Sequence, residues 1–372
     1  MISKKTVLTV LGGLLMALNL RAASAVFFAP DQLNTLEQKQ VWALNQMKNT
    51  DAESAVWMGY SIIRPMKPGT RITWNSDDGS PAETLADILN RPSDEESLSL
   101  IEAARLAGRK ADHGEAMVEK ELAFLFLMHG ALKSGETFTK LRMTQPDSPV
   151  RLKNRPVLWL GTVSQTESLQ FLNGLYQKTE SESGKKDLIV GIASHTLRDP
   201  VIGFLKARAE GNEPDCLRES AVFWLGQQPD PRALNILKQS VNMDASSDVR
   251  EKAVFSISQM DIPEAEETLI GLAYHAPSGK LREKAVFWLG QKASKNAVRA
   301  LKDVVFNADE TEIQKQAVFA LSQQENSGAV TDLIRIAETH PNPVIRKNAI
   351  FWLGESGDPR AVDALVRMVR GR

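Results

Sequence analysis

Between Ala221 and Ala349 the sequence returns to the same pattern every 32 residues. Ala221, Ala253, Ala285, Ala317 and Ala349 each open an apolar run: AVFWLGQ, AVFSISQ, AVFWLGQ, AVFALSQ and AIFWLGE. A period of this length belongs to arrays in which each unit buries its apolar face only against its neighbours. It constrains the fold before any single residue is considered.

Each unit reads as two helices. Four residues before each anchor alanine stands Leu217, Val249, Leu281, Ile313 or Ile345, which completes the apolar stripe of a first amphipathic helix. Twelve and sixteen residues after the anchors come Ala233, Ala265, Ala297, Ala329 and Ala361, then Leu237, Leu269, Leu301, Leu333 and Leu365. That four-residue step marks a second helix. Between helices, Gly357-Asp358-Pro359 supplies a glycine stop, an aspartate N-cap and a first-turn proline.

A slower rhythm alternates large and small side chains. Three residues after each anchor come Trp224, Ser256, Trp288, Ala320 and Trp352; five after come Gly226, Ser258, Gly290, Ser322 and Gly354. Close packing favours an indole beside a small residue of the next unit, and each glycine should admit its paired helix. The arginines at 218, 250, 282 and 346 are expected to bond carboxylates or helix ends of adjacent units. Weaker matches at Leu188 (LIVGIAS) and Pro156 (PVLWLGT) extend the count to seven units, the first two degenerate. The fold class predicted is mainly α: a right-handed α-solenoid of about seven 32-residue hairpins preceded by a small α+β, mainly β, module.

The domain boundaries expected are 1–25, 26–149 and 150–372. In the first segment Lys4 and Lys5 precede a 14-residue apolar stretch, and Ala23-Ser24-Ala25 fits a leader-peptidase site. This predicts a signal peptide cleaved after Ala25, a periplasmic or secreted protein, and no stable membrane span after cleavage. Losing Lys4, Lys5 and Arg21 takes the net charge from −1 to −4, which argues against a nucleic-acid partner. The single cysteine, Cys216, cannot form an intramolecular disulfide.

In the amino-terminal module Ala55–Ile63 and Thr70–Trp74 read as strands. Leu122–Met128, a turn at Gly130–Gly135 and Thr137–Thr144 read as a β-hairpin, with a helix near Leu98–Leu106.

Sites of chemistry are scarce. The five histidines lack metal-ligand spacing, and there is no nucleophile elbow or phosphate-binding loop. His195, His275 and His340 are assigned surface or capping roles at helix ends. No catalytic, cofactor or metal residue is expected. Variable positions do stand out on the second helices, fourteen and eighteen after the anchors. From these come the partner-binding candidates Asn235, Gln239, Glu267, Arg299, Asp303, Arg335, Asp363 and Arg367. Their mixed signs suit a protein or peptide.

The pattern R-x-K-A-V-F-W-L-G-Q at Arg282–Gln291, with D-P-R-A at Asp358–Ala361, resembles HEAT-like repeats of the phycobilisome lyase-like type. The whole chain is similar to bacterial exported HEAT repeat domain-containing proteins. The resemblance implies a scaffold that binds proteins and has no established activity. Iron-binding HEAT-like hydroxylases hold their metal with His-Glu pairs, which this chain lacks. The function expected is an extracytoplasmic interaction scaffold taking a protein or peptide along the solenoid groove. Its alternatives are an enzyme or ligand-binding site in the amino-terminal module, around Trp57, Tyr60 and Trp74, or a glycan track formed by Trp159, Trp224, Trp288 and Trp352.

Overall fold

The computed structural model describes residues 26–47, 55–74, 84–89, 117–129, 138–150, 152, 155–292, 294–324 and 328–370. The leader expected at residues 1–25, the helix expected near Leu98–Leu106 and the turn expected at Gly130–Gly135 lie outside the described residues. The chain divides into two compact units, residues 1–201 and 202–372.

The first unit is built on a five-stranded sheet of order β1-β5-β2-β3-β4. Its strands are β1 (Val26–Phe28), β2 (Ala55–Met66), β3 (Val118–His129), β4 (Lys140–Thr144) and β5 (Val157–Val163). The expected hairpin is present: β3 pairs antiparallel with both β2 and β4. Thr70–Trp74 is not a strand, and only Trp74 bridges, to Met143. Both faces are covered over Val56–Ile62 of β2 and Leu122–Phe126 of β3, so these stretches are largely apolar without alternation. One face packs Trp57, Leu125 and Trp159 with Leu85 and Leu89, around the short helix α2 (Leu85–Ile88). The other carries Tyr60, Phe124 and Phe126 beneath α3 (Gln165–Lys178) and α4 (Glu182–Ala193), while α1 (Leu36–Met47) lies against β5 and α3.

Pro156 does not open a helix. PVLWLGT becomes β5, hydrogen-bonded in parallel to β1 and β2. A seven-residue apolar run with β-branched and aromatic members suits a buried strand as well as a helix. In that sheet setting Gly161 takes a φ of +83°, whereas Gly290 and Gly354, at the same position of their units, are helical. The second half of that unit survives as α3, with Leu172 fully buried sixteen residues after Pro156.

The unit opened by Leu188 is helical, as α4 and α5 (Arg198–Ala209). The second compact unit then stacks five hairpins: α6 (Asp215–Leu225) with α7 (Pro231–Met243), α8 (Ser247–Gln259) with α9 (Pro263–His275), α10 (Gly279–Gly290) with α11 (Lys295–Asn307), α12 (Thr311–Ser322) with α13 (Gly328–Thr339), and α14 (Pro343–Glu355) with α15 (Pro359–Arg370). All five anchor alanines have zero exposure. Leu237, Leu269, Leu301 and Leu333 are buried as the four-residue step requires, each worth about 1.5–3 kcal/mol of transfer from water. First helices pack on first helices, and α7, α9, α11 and α13 each pack on the first helix that follows.

The glycines work between units. A Cβ on Gly226 would lie 2.7 Å from the Cβ and the carbonyl oxygen of Ser256, and one on Gly290 2.7 Å from the Ala320 Cβ. The close neighbour is thus the next unit's first helix, and not the paired second helix as expected. Tryptophans pack the other way: Trp288 lies 4.9 Å from Phe255 and Trp352 5.0 Å from Phe319, ring to ring, each in the preceding unit. The 64-residue super-period is this alternation of backward and forward contacts.

Candidate functional site

At the start of the first helices, the residue three before the anchor ties successive hairpins together. Arg282 donates to the Ala276 carbonyl at 2.6 Å, Gln314 to Ala308 at 2.7 Å and Arg346 to His340 at 2.7 Å. Each satisfies a free carbonyl at the end of the preceding second helix, where the helix dipole also favours a cation. Arg218 forks onto Asp244 at 3.0 and 2.9 Å, and Arg282 also meets Glu310. The Asp244 hydrogen bond holds the Arg218 pKa above its ordinary value. Arg282 and Arg346 thus join units, Arg218 closes its own hairpin onto Asp244, and among the described residues the buried Arg250 Nε has no hydrogen-bond partner.

The second helices leave their outward positions open. Asn235, Gln239, Glu267, Arg299, Asp303, Arg335, Asp363 and Arg367 are all exposed. Three of them, Arg299, Asp303 and Arg335, come together in a groove of about 330 Å³ between α11 and α13, which Lys302, Phe306, Asn307, Asp332 and Ile336 complete. The other five do not line it.

Charge in the groove is unevenly satisfied. Asp303 accepts from the Tyr274 hydroxyl at 2.6 Å and from the Asn307 amide at 2.7 Å. Burial, and then Asp303, raise the Tyr274 pKa, so the phenol stays a donor. Lys302 pairs with Asp332 at 2.8 Å. Arg299 bonds only the neutral Asn296 side chain, at 3.1 Å, and Arg335 lies 5.8 Å from the Phe306 ring centre. Among the described residues neither guanidinium has a carboxylate partner. His340 braces the floor: its Nδ1 accepts from the Asn342 N–H, so Nε2 donates to the Val305 carbonyl at 2.8 Å, and its ring packs on Phe306. His340 and His195 are buried and not on the surface. Of the surface or capping roles expected, both take the second, His195 on the Gly191 carbonyl and His340 on the Asn342 N–H at helix ends.

His195 belongs to a hydrogen-bonded chain in the first unit. Its Nδ1 lies 2.9 Å from the Gly191 carbonyl, which can only accept, so Nδ1 carries the proton. Nε2 then accepts from the Ser168 hydroxyl at 2.8 Å, and Ser168 accepts from the Tyr60 hydroxyl at 2.8 Å. Burial first, and the Arg64 charge after it, push the His195 pKa down to about 4. A serine beside a histidine resembles a nucleophile and its base, yet Ser168 and Tyr60 have zero exposure and no reactant reaches them. The chain fastens α3 and α4 to β2. Nor do the aromatics proposed as an amino-terminal site share a pocket. Trp57 and Tyr60 belong to packing clusters on opposite faces of the sheet, while Trp74 donates to Asp187 at 3.0 Å. Trp159 is buried in the core of its sheet, and Trp224, Trp288 and Trp352 are half-buried.

Among the described residues no three His, Cys, Asp or Glu side chains are grouped to hold a metal ion, and no helix is long and apolar enough to cross a membrane.

Residues 298–371 match the family model for HEAT repeats, and residues 217–242 match that for the PBS lyase HEAT-like repeat. No curated protein matches the chain. Among solved structures, Escherichia coli YibA is similar at 16% identity, over 55% of this chain and 76% of that one, with a TM-score of 0.33. Human deoxyhypusine hydroxylase, solved with glycerol, is similar at 17% identity over 51% and 84%, with a TM-score of 0.24. The CpcE–CpcF complex of phycocyanin lyase from a Nostoc species gives 19% identity over 46% and 71%, with a TM-score of 0.30. The helical hairpins spanning residues 217–242 and 298–371 are HEAT-like repeats.

Proposed function

We propose that the chain is an interaction scaffold whose second helices receive a protein or peptide. One observation carries this reading. Among the described residues Arg299 and Arg335 stand in an open groove without carboxylate partners, while Arg218, Arg282 and Arg346 of the first helices are held by carboxylates or helix-end carbonyls. Unpaired guanidiniums beside a half-buried ring are the kind of anchor that recurs at protein interfaces. An extracytoplasmic setting is part of the same proposal and rests on the leader-like pattern of residues 4–25.

Charge reversal tests it. The Arg299→Glu/Arg335→Glu variant of the full chain should fold as the parent does, because both side chains are exposed. In affinity capture from the source cell it should lose at least one protein that the parent retains. Retention of every captured protein at unchanged levels would contradict the proposal.

A further inference from the structure

We propose that the groove between α11 and α13 selects an acidic peptide segment carrying an apolar side chain between its carboxylates. This rests on the scaffold reading and names the chemistry of its partner. The groove offers three cations and two carboxylates, but Asp303 and Asp332 are already engaged, by Tyr274 and Asn307 and by Lys302. Lys302 and Asp332 offset each other, and Asp303 keeps its charge under two neutral donors. Arg299 with Arg335 thus leaves the groove one positive charge in excess and two guanidiniums without a carboxylate partner among the described residues. A guanidinium resting on a ring keeps its N–H edge for a carboxylate, which it can hold through two parallel hydrogen bonds. Phe306, half-buried beside Arg335, and the buried Ile336 make the apolar part of the lining, fit for one aliphatic or aromatic side chain.

The same lining argues against a polyanion such as nucleic acid. A phosphate backbone would bring Asp303 and Asp332 against like charges, and the groove lacks the continuous basic stripe that such a ligand requires. A short peptide can place its carboxylates on the two arginines and keep clear of the aspartates.

The test uses the full chain and four fluorescent probes read by anisotropy. These are the blocked peptides Glu-Asp-Phe-Asp-Glu, Glu-Asp-Ser-Asp-Glu and Lys-Lys-Phe-Lys-Lys, and a single-stranded oligonucleotide. The acidic peptide with phenylalanine should bind saturably, and tighter than its serine counterpart. Arg299→Glu/Arg335→Glu should weaken it at least about tenfold, and Arg299→Lys/Arg335→Lys by less, because charge is kept and the fork is lost. No saturable binding of that peptide up to about 1 mM overturns the inference. So does binding that the arginine reversals leave unchanged, or tighter binding of the basic peptide or the oligonucleotide. If the peptide fails while charge reversal still costs the chain a natural partner, the acidic chemistry is wrong and the scaffold reading stands. If neither responds, both fall.

Discussion

His195 is kept neutral by its burial, and that has a cost in acid. Its pKa falls from the ordinary 6.5 to about 4 in the folded chain, so between those values the unfolded chain binds a proton that the folded chain does not. The stability that His195 contributes is therefore complete above pH 6.5 and declines as the pH falls towards 4, by about 1.4 kcal/mol per pH unit. Urea titrations at several pH values should show that slope in the parent and its loss in His195→Gln. An unchanged slope in the variant would mean that His195 titrates normally. None of this was legible in the sequence, which placed His195 only at a helix end. The partners that bury it, Tyr60 and Ser168, come from a strand and a helix distant in the chain, and their hydroxyls meet only once the sheet is covered.

At the scale of the helix, three glycines in equivalent positions predict different outcomes. Alanine at Gly226 or Gly290 drives its methyl group into the next first helix, within 2.7 Å of Ser256 or Ala320. Overpacking of this kind costs about 1–3 kcal/mol. Gly354 has nothing within 4 Å of the same point and lies inside α14, so Gly354→Ala should gain about 0.5–1 kcal/mol from helix propensity. Chemical denaturation of the three variants checks the contrast, and equal effects would contradict the inter-unit role. The helical hairpins were readable from period and stripe because each satisfies itself against neighbours of the same pattern. The PVLWLGT segment misled for the same reason. It carries the repeat's spelling, but β1 and β2, remote in sequence, offer it a hydrogen-bonded sheet site that local pattern does not encode.

Across the repeats, the fold assigns the two helices of each unit different work. First helices carry the glycine contacts, the indoles and the arginine links; second helices carry the variable exposed positions. The exposure of Arg299, Asp303 and Arg335 followed from their offsets, fourteen and eighteen after the anchor. Their charge state in context did not, since the Tyr274–Asp303 and Lys302–Asp332 bonds join side chains of successive units and leave no trace in the period. The direct measurement is photo-crosslinking of the full chain in its source cell, with a photoreactive residue at Asn307 in the groove or at Gln291 at the end of the first helix α10. The account predicts a discrete protein adduct from Asn307 and none from Gln291. An adduct from Gln291 alone would place recognition on the first helices and contradict it.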